Sequence, residues 1–131
     1  MNVVVETVAG WFAVDLETDE VGAWDRAVAP PAAPALSLPR VVAAAASGST
    51  VVAVVDAKPP LLVSHDAGST WHESGRGLPP GRAIAVSADD PDVLVYAARN
   101  RLYVSRNGGI FWSALAVELP EIERVLFEGV G

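Results

Sequence analysis

His65, Asp66 and His72 fall within eight residues of one another in the stretch "SHDAGSTWH". A carboxylate between two imidazoles can relay a proton or hold a metal, so chemistry is sought here first. The spacing does not suit zinc, whose helical histidines stand as HExxH. Calcium at Asp66 would need about six to eight oxygen ligands, and one carboxylate cannot supply them. A second acidic group, Asp89, Asp90 and Asp92 in "SADDPD", reads as a solvated turn before Pro91, with a weak cation site as the alternative. GxSxG, Walker and GxGxxG patterns are absent, and the chain has no cysteine for thiolate catalysis, disulfides or Cys-ligated zinc. No catalytic residue, metal ligand or cofactor is expected, and the chain reads as a non-enzyme.

Composition bounds the remaining classes. The 131 residues amount to one ordinary domain, 51% hydrophobic and 19% charged, too apolar for disorder. A net charge of −7 argues against binding nucleic-acid phosphates, which rests on Lys and Arg. The uncharged stretches Ala27–Pro39 and Val41–Val55 are cut by prolines or by "SGST", short of the ~20 apolar residues that a membrane helix needs. "MNVVVETV" has no basic leader, and a cytoplasmic location is expected.

The elements around these residues repeat. "SHDAGSTW" (Ser64–Trp71) has a partner 41 residues later in "SRNGGIFW" (Ser105–Trp112). The run from Arg40 aligns with that from Arg82 at an interval of 42, and a further 42 lands on Arg124. A worn copy lies in "WFAVDLETDEVGAW", where Asp19 precedes Trp24 by five residues, as Asp66 precedes Trp71. Each copy reads as four short strands, with Val, Tyr and Trp in the strands and Gly, Asp and Pro in the turns. The fold class is all-β. "APPAAPALSLP" (29–39) is a stiff Pro-rich connection between units.

The pattern Ser64, Asp66, Gly68, Thr70, Trp71 resembles the Asp-box, or BNR repeat, of sialidase-like, sortilin-like and photosystem-assembly β-propellers. In the second copy Ser105, Gly109 and Trp112 match, while Asn107 replaces Asp and Phe111 replaces Thr. The resemblance implies that each box is the hairpin turn between the third and fourth strands of a blade. It assigns these residues architectural roles: Gly68 turns the backbone, Asp66 accepts from turn N–H groups, and Trp71 packs between blades. Sialidase activity does not follow, because neither Tyr96 nor Tyr103 matches that family's nucleophile.

Counted by blade, the chain supplies three strands, then four, four and one, which is three blades with a permuted join. The units are 1–28 plus 124–131, 40–76 and 82–116. In the front unit, "VVVETV" is the second strand, "WFAVDL" the third and the segment from Trp24 the fourth. Propellers usually have ~4–8 blades, so a homodimer of six blades is expected. The strand opening at Arg124 would then pair with the N-terminal strand of the other chain.

Arg40, Arg82 and Arg124 would each open an innermost strand, and Lys58, Arg99 and Arg101 fall in the loops on the same side. Asp19, Asp66, Asp89, Asp90 and Asp92 fall on the other. Two readings of the arginines stay open: salt bridges between neighbouring blades, or a face for an anion or acidic protein segment. The function expected is a non-catalytic interaction or assembly module. A lectin-like, carbohydrate-binding propeller that stacks glycans on Trp is the alternative, and a glycosidase remnant ranks below it.

Overall fold

The computed structural model describes residues 1–25 and 33–128. Part of the 29–39 connection, the end of the 1–28 segment and residues 129–131 lie outside the described residues. The described chain forms twelve strands: β1 (Asn2–Thr7), β2 (Gly10–Asp15), β3 (Val21–Ala23), β4 (Val41–Ser47), β5 (Thr50–Val55), β6 (Leu61–Ser64), β7 (His72–Ser74), β8 (Ala83–Val86), β9 (Leu94–Ala97), β10 (Leu102–Ser105), β11 (Ser113–Ala114) and β12 (Ile122–Phe127). They make three four-stranded antiparallel sheets, ordered β12-β1-β2-β3, β4-β5-β6-β7 and β8-β9-β10-β11.

Three expectations are corrected. The strand that completes the first sheet begins at Ile122, so Arg124 is its third residue and not its opening one. That strand pairs with β1 of the same chain, from Val3↔Phe127 to Thr7↔Ile122, so the outer edge of β1 is satisfied without a second copy. The fourth strand of the front unit ends at Ala23, before Trp24, because β3 follows β2 directly through the turn at Glu17–Glu20. Trp24 still donates its backbone N–H to the Trp11 carbonyl at 3.1 Å.

The second strands of two sheets, β5 and β9, are buried along their whole length, which their β-branched and aromatic residues suit. β9 shows why. Its side chains alternate between faces, and each face meets a different sheet. Leu94 and Tyr96 join Ile84 of their own sheet against Val52, Val54, Leu61 and Val63 of the second sheet. Val95 and Ala97, with Leu102 and Val104, pack against Val3, Val5, Val14, Ile122 and Val125 of the first. The third sheet is therefore the middle layer. Its strand β8 lies against both β4 and β12, which do not touch each other, so the three sheets form an open arc. On the outer faces of the arc, Val4, Leu126, Val51, Ala53 and Val55 are buried within the single chain as well.

Tyr96 is the largest fully buried side chain among the described residues. Its hydroxyl donates to the Pro79 carbonyl at 2.7 Å, and its ring meets Trp112 edge-on with centroids 6.1 Å apart. Burial pushes its pKa up, so it stays a neutral donor. Gly81 lies against this ring so closely that an added Cβ would sit 2.3 Å from the hydroxyl oxygen. Gly81→Ala is therefore expected to destabilise the protein by roughly 1–3 kcal/mol through overpacking. Urea titration checks this: an unchanged midpoint would mean that the ring moves aside freely.

Candidate functional site

Antiparallel connectivity sorts the turns to two ends of the arc. The β2–β3, β6–β7, β8–β9 and β10–β11 turns share one end; the β1–β2, β5–β6 and β9–β10 turns and the β7–β8 and β11–β12 loops share the other.

At the first end the two box turns have nearly the same backbone. Ala67 and Gly68 carry φ of 59° and 92°, and Gly108 and Gly109 carry 71° and 93°. The Ser64 hydroxyl accepts from the Gly68 N–H at 2.8 Å and donates to Asp66 Oδ1 at 2.7 Å. Asp66 in turn accepts the Thr70 N–H at 2.8 Å and the Thr70 hydroxyl at 2.6 Å. Ser105, Asn107, Gly109 and Phe111 reproduce this network except for the last bond, which Phe111 cannot make. The carboxylate of Asp66 is thus fully engaged in its own turn. Trp71 folds back on Gly68, whose Cβ would lie 3.6 Å from the indole.

The second turn also ties two sheets together. Ser74, buried at the end of β7, donates its hydroxyl to the Gly109 carbonyl at 2.5 Å and accepts the Trp112 indole N–H at 3.0 Å. His65 and His72 lie with ring centroids 5.4 Å apart, and His65 stands against Gly108. Asp19 accepts the Ala116 N–H at 3.0 Å, which fixes the first sheet to the third. Among the described residues no group of three or more acidic or histidine side chains is arranged to hold a metal.

The six cations singled out in the sequence lie in unequal surroundings. Arg40 precedes β4 with a left-handed φ of 59°, whereas Arg82 precedes β8 and Arg124 lies inside β12. Arg40 and Arg82 each stand directly before an innermost strand, as their spacing implies, and only Arg124 departs from that position. Arg124 is the cross-strand partner of Glu6, which in turn is opposite Trp11. That row across β12, β1 and β2 becomes a stack. Arg124 grips Glu6 with two hydrogen bonds, of 2.7 and 3.0 Å, and its guanidinium lies 5.8 Å from the centroid of the Trp11 ring. The Arg124 hydrogen bond lowers the Glu6 pKa.

Three of the six do converge. Arg82, Arg99 and Arg101 line a cleft of about 510 Å³ with Pro79, Pro80 and Tyr103. One oxygen of Glu121 accepts from Arg82 at 3.3 Å and from Arg99 at 2.9 Å, and Glu118 accepts from Arg101 at 3.0 Å. Three guanidiniums against two carboxylates leave the cleft one positive charge in excess. Arg99 is 71% exposed and donates through Nε, so its two terminal nitrogens have no partner among the described residues. Arg40 and Lys58 lie outside the cleft and carry no ion pair there. Both acids stand just ahead of Arg124 in "ELPEIER", where Glu121 is legible as a partner for neighbouring arginines and Glu118 is not marked by any spacing.

Comparison with family models and with curated proteins finds no match. No helix among the described residues is long and apolar enough to cross a membrane.

The Asp66 carboxyl is held down at about 2, first by the Thr70 hydroxyl, then by the Thr70 N–H and the Ser64 hydroxyl. Its pKa is depressed by folding, so its contribution to stability is whole above about pH 4 and is lost as pH falls towards 2. Asp66→Asn installs the residue that serves at position 107 and cannot titrate. The melting temperature of wild type is expected to fall more steeply than that of D66N across this window. Parallel curves would show that the hydrogen bonds to Asp66 do not stabilise the turn.

Proposed function

We propose that this chain is a non-catalytic interaction module, an arc of three propeller blades whose arginine-lined mouth takes an acidic protein segment or another anion. The observation that carries the reading is the cleft at Arg82, Arg99 and Arg101, with its excess positive charge in a protein of net charge −7. A guanidinium with both terminal nitrogens unengaged matches a carboxylate or phosphate as a fork. The side chains that could do chemistry are engaged in architecture instead: Asp66 in its turn, Tyr96 on Pro79, Glu6 under Arg124. Trp11 and Trp112, which could stack a glycan, already meet Arg124 and Tyr96, so nothing favours the lectin reading.

The test is calorimetric titration with tripolyphosphate and, separately, with a polyglutamate peptide. Each should bind wild type, and binding should weaken about tenfold in Arg99→Ala, weaken further with Arg101→Ala, and fall as salt rises. Lys58→Ala should bind as wild type does. If the double arginine variant binds as tightly as wild type, the cleft is a set of structural ion pairs and the reading fails.

We further infer that two copies complete a ring of six blades. The open arc supports this, since its end strands β4 and β12 do not meet and Val41 and Val42 on β4 are 37% and 52% exposed. Because the pairing of β12 with β1 is internal, no strand would be shared; the joint would set β4 of one copy beside β12 of the other. Light scattering at micromolar concentration should give twice 13.6 kDa. A folded species of 13.6 kDa would overturn the ring and leave the cleft untouched.

A further inference from the structure

The second box turn carries two residues that its architecture does not use. Ile110 and Phe111 are 72% and 74% exposed, the two most exposed large hydrophobic side chains among the described residues. The first turn serves as an internal control. With nearly the same backbone, it has Ser69 and Thr70 at these positions, and the Thr70 hydroxyl adds a 2.6 Å bond to Asp66. At position 111 the hydroxyl is gone and a phenyl ring stands in water. The turn therefore forgoes a hydrogen bond and exposes apolar surface, which no contact among the described residues explains.

The surroundings indicate what covers it. The pair borders a cleft of about 570 Å³, which Leu78, Trp112, His72 and the Glu73–Arg76 ion pair also line, so there is room beside the ring for a side chain from outside, and the cleft's own charges balance. On the other side Phe111 lines a second cleft with Leu16, Asp19 and Arg106. The neighbouring turns carry Glu17, Asp19, Glu20, Asp89, Asp90 and Asp92, and Arg106 lies within 3.7 Å of Glu17. An apolar tip in an acidic surround is repelled by anionic lipid and by acidic proteins, and is attracted to an apolar pocket rimmed by Lys and Arg. We propose that Ile110 and Phe111 form a docking anchor for a basic partner protein, at the end of the arc opposite the arginine cleft.

The test uses the intact chain and a displayed library of random peptides, with the double variant I110S/F111T as comparison. This variant carries the residues of the first turn, so it should fold, and its melting temperature should match or exceed that of wild type. Selection on wild type should enrich peptides that combine aromatic or branched apolar residues with Lys or Arg. Their affinity should fall at least about tenfold in I110S/F111T and should fall with added salt. Tripolyphosphate binding at the arginine cleft should not change, which separates this site from that reading. Enrichment of no peptide, of acidic peptides, or of peptides that bind the variant equally would overturn the proposal. So would a wild-type dimer that I110S/F111T makes monomeric, since the occupant would then be a second copy.

Discussion

Side-chain alternation along β9 is the constraint from which the architecture follows. A strand that is apolar on both faces must be covered on both, and one sheet cannot do that alone. Leu94 and Tyr96 require the second sheet, and Val95 and Ala97 require the first. The sheet with β9 at its heart becomes the middle layer, and the innermost strands β4, β8 and β12 line up side by side. The polar groups that reach across these layers then need individual partners. Tyr96 finds the Pro79 carbonyl, Trp112 finds Ser74, and Ala116 finds Asp19.

The two box turns show how a repeat diverges while its backbone persists. Gly68 and Gly109 both stand at strongly positive φ, where a side chain would strain the turn. The acceptor two residues earlier has passed from a carboxylate to an amide without losing the N–H it caps. The residue after the capped N–H is Trp in both, yet only Trp112 donates to a serine of the adjoining sheet. The second turn lies inside a junction between sheets, and the first belongs to the outermost sheet of the arc.

Much of this was legible from residues alone. The 41-residue return of Ser, Gly and Trp marked the turns, and β-branched runs between them marked the strands of three antiparallel sheets. What was not legible depended on pairing across space. Nothing local says that β12 closes on β1 of its own chain, because both partners are apolar runs that would pair as well with another copy. Position 124 looked like the start of a strand because the interval was measured from arginine to arginine; the strand boundary is set instead by Ile122, buried against the third sheet. The carboxylates that hold Arg82, Arg99 and Arg101 come from one loop, and charge pairs of that kind leave no periodic trace. The exposure of Ile110 and Phe111 was equally hidden, since a hydrophobic dipeptide beside a strand reads first as core.

Glu121 occupies an unusual place in this network. It belongs to the loop that leads into β12 of the first sheet, yet both arginines on its oxygen belong to the third. It is therefore a latch between layers as well as a counter-ion. An anion that draws Arg99 towards itself competes with Glu121 for the same guanidinium, so occupancy of the mouth and the grip between two sheets are thermodynamically linked. For such an anion, reciprocity requires that the free energy by which it weakens the Glu121 junction equal the free energy by which the intact junction weakens its binding.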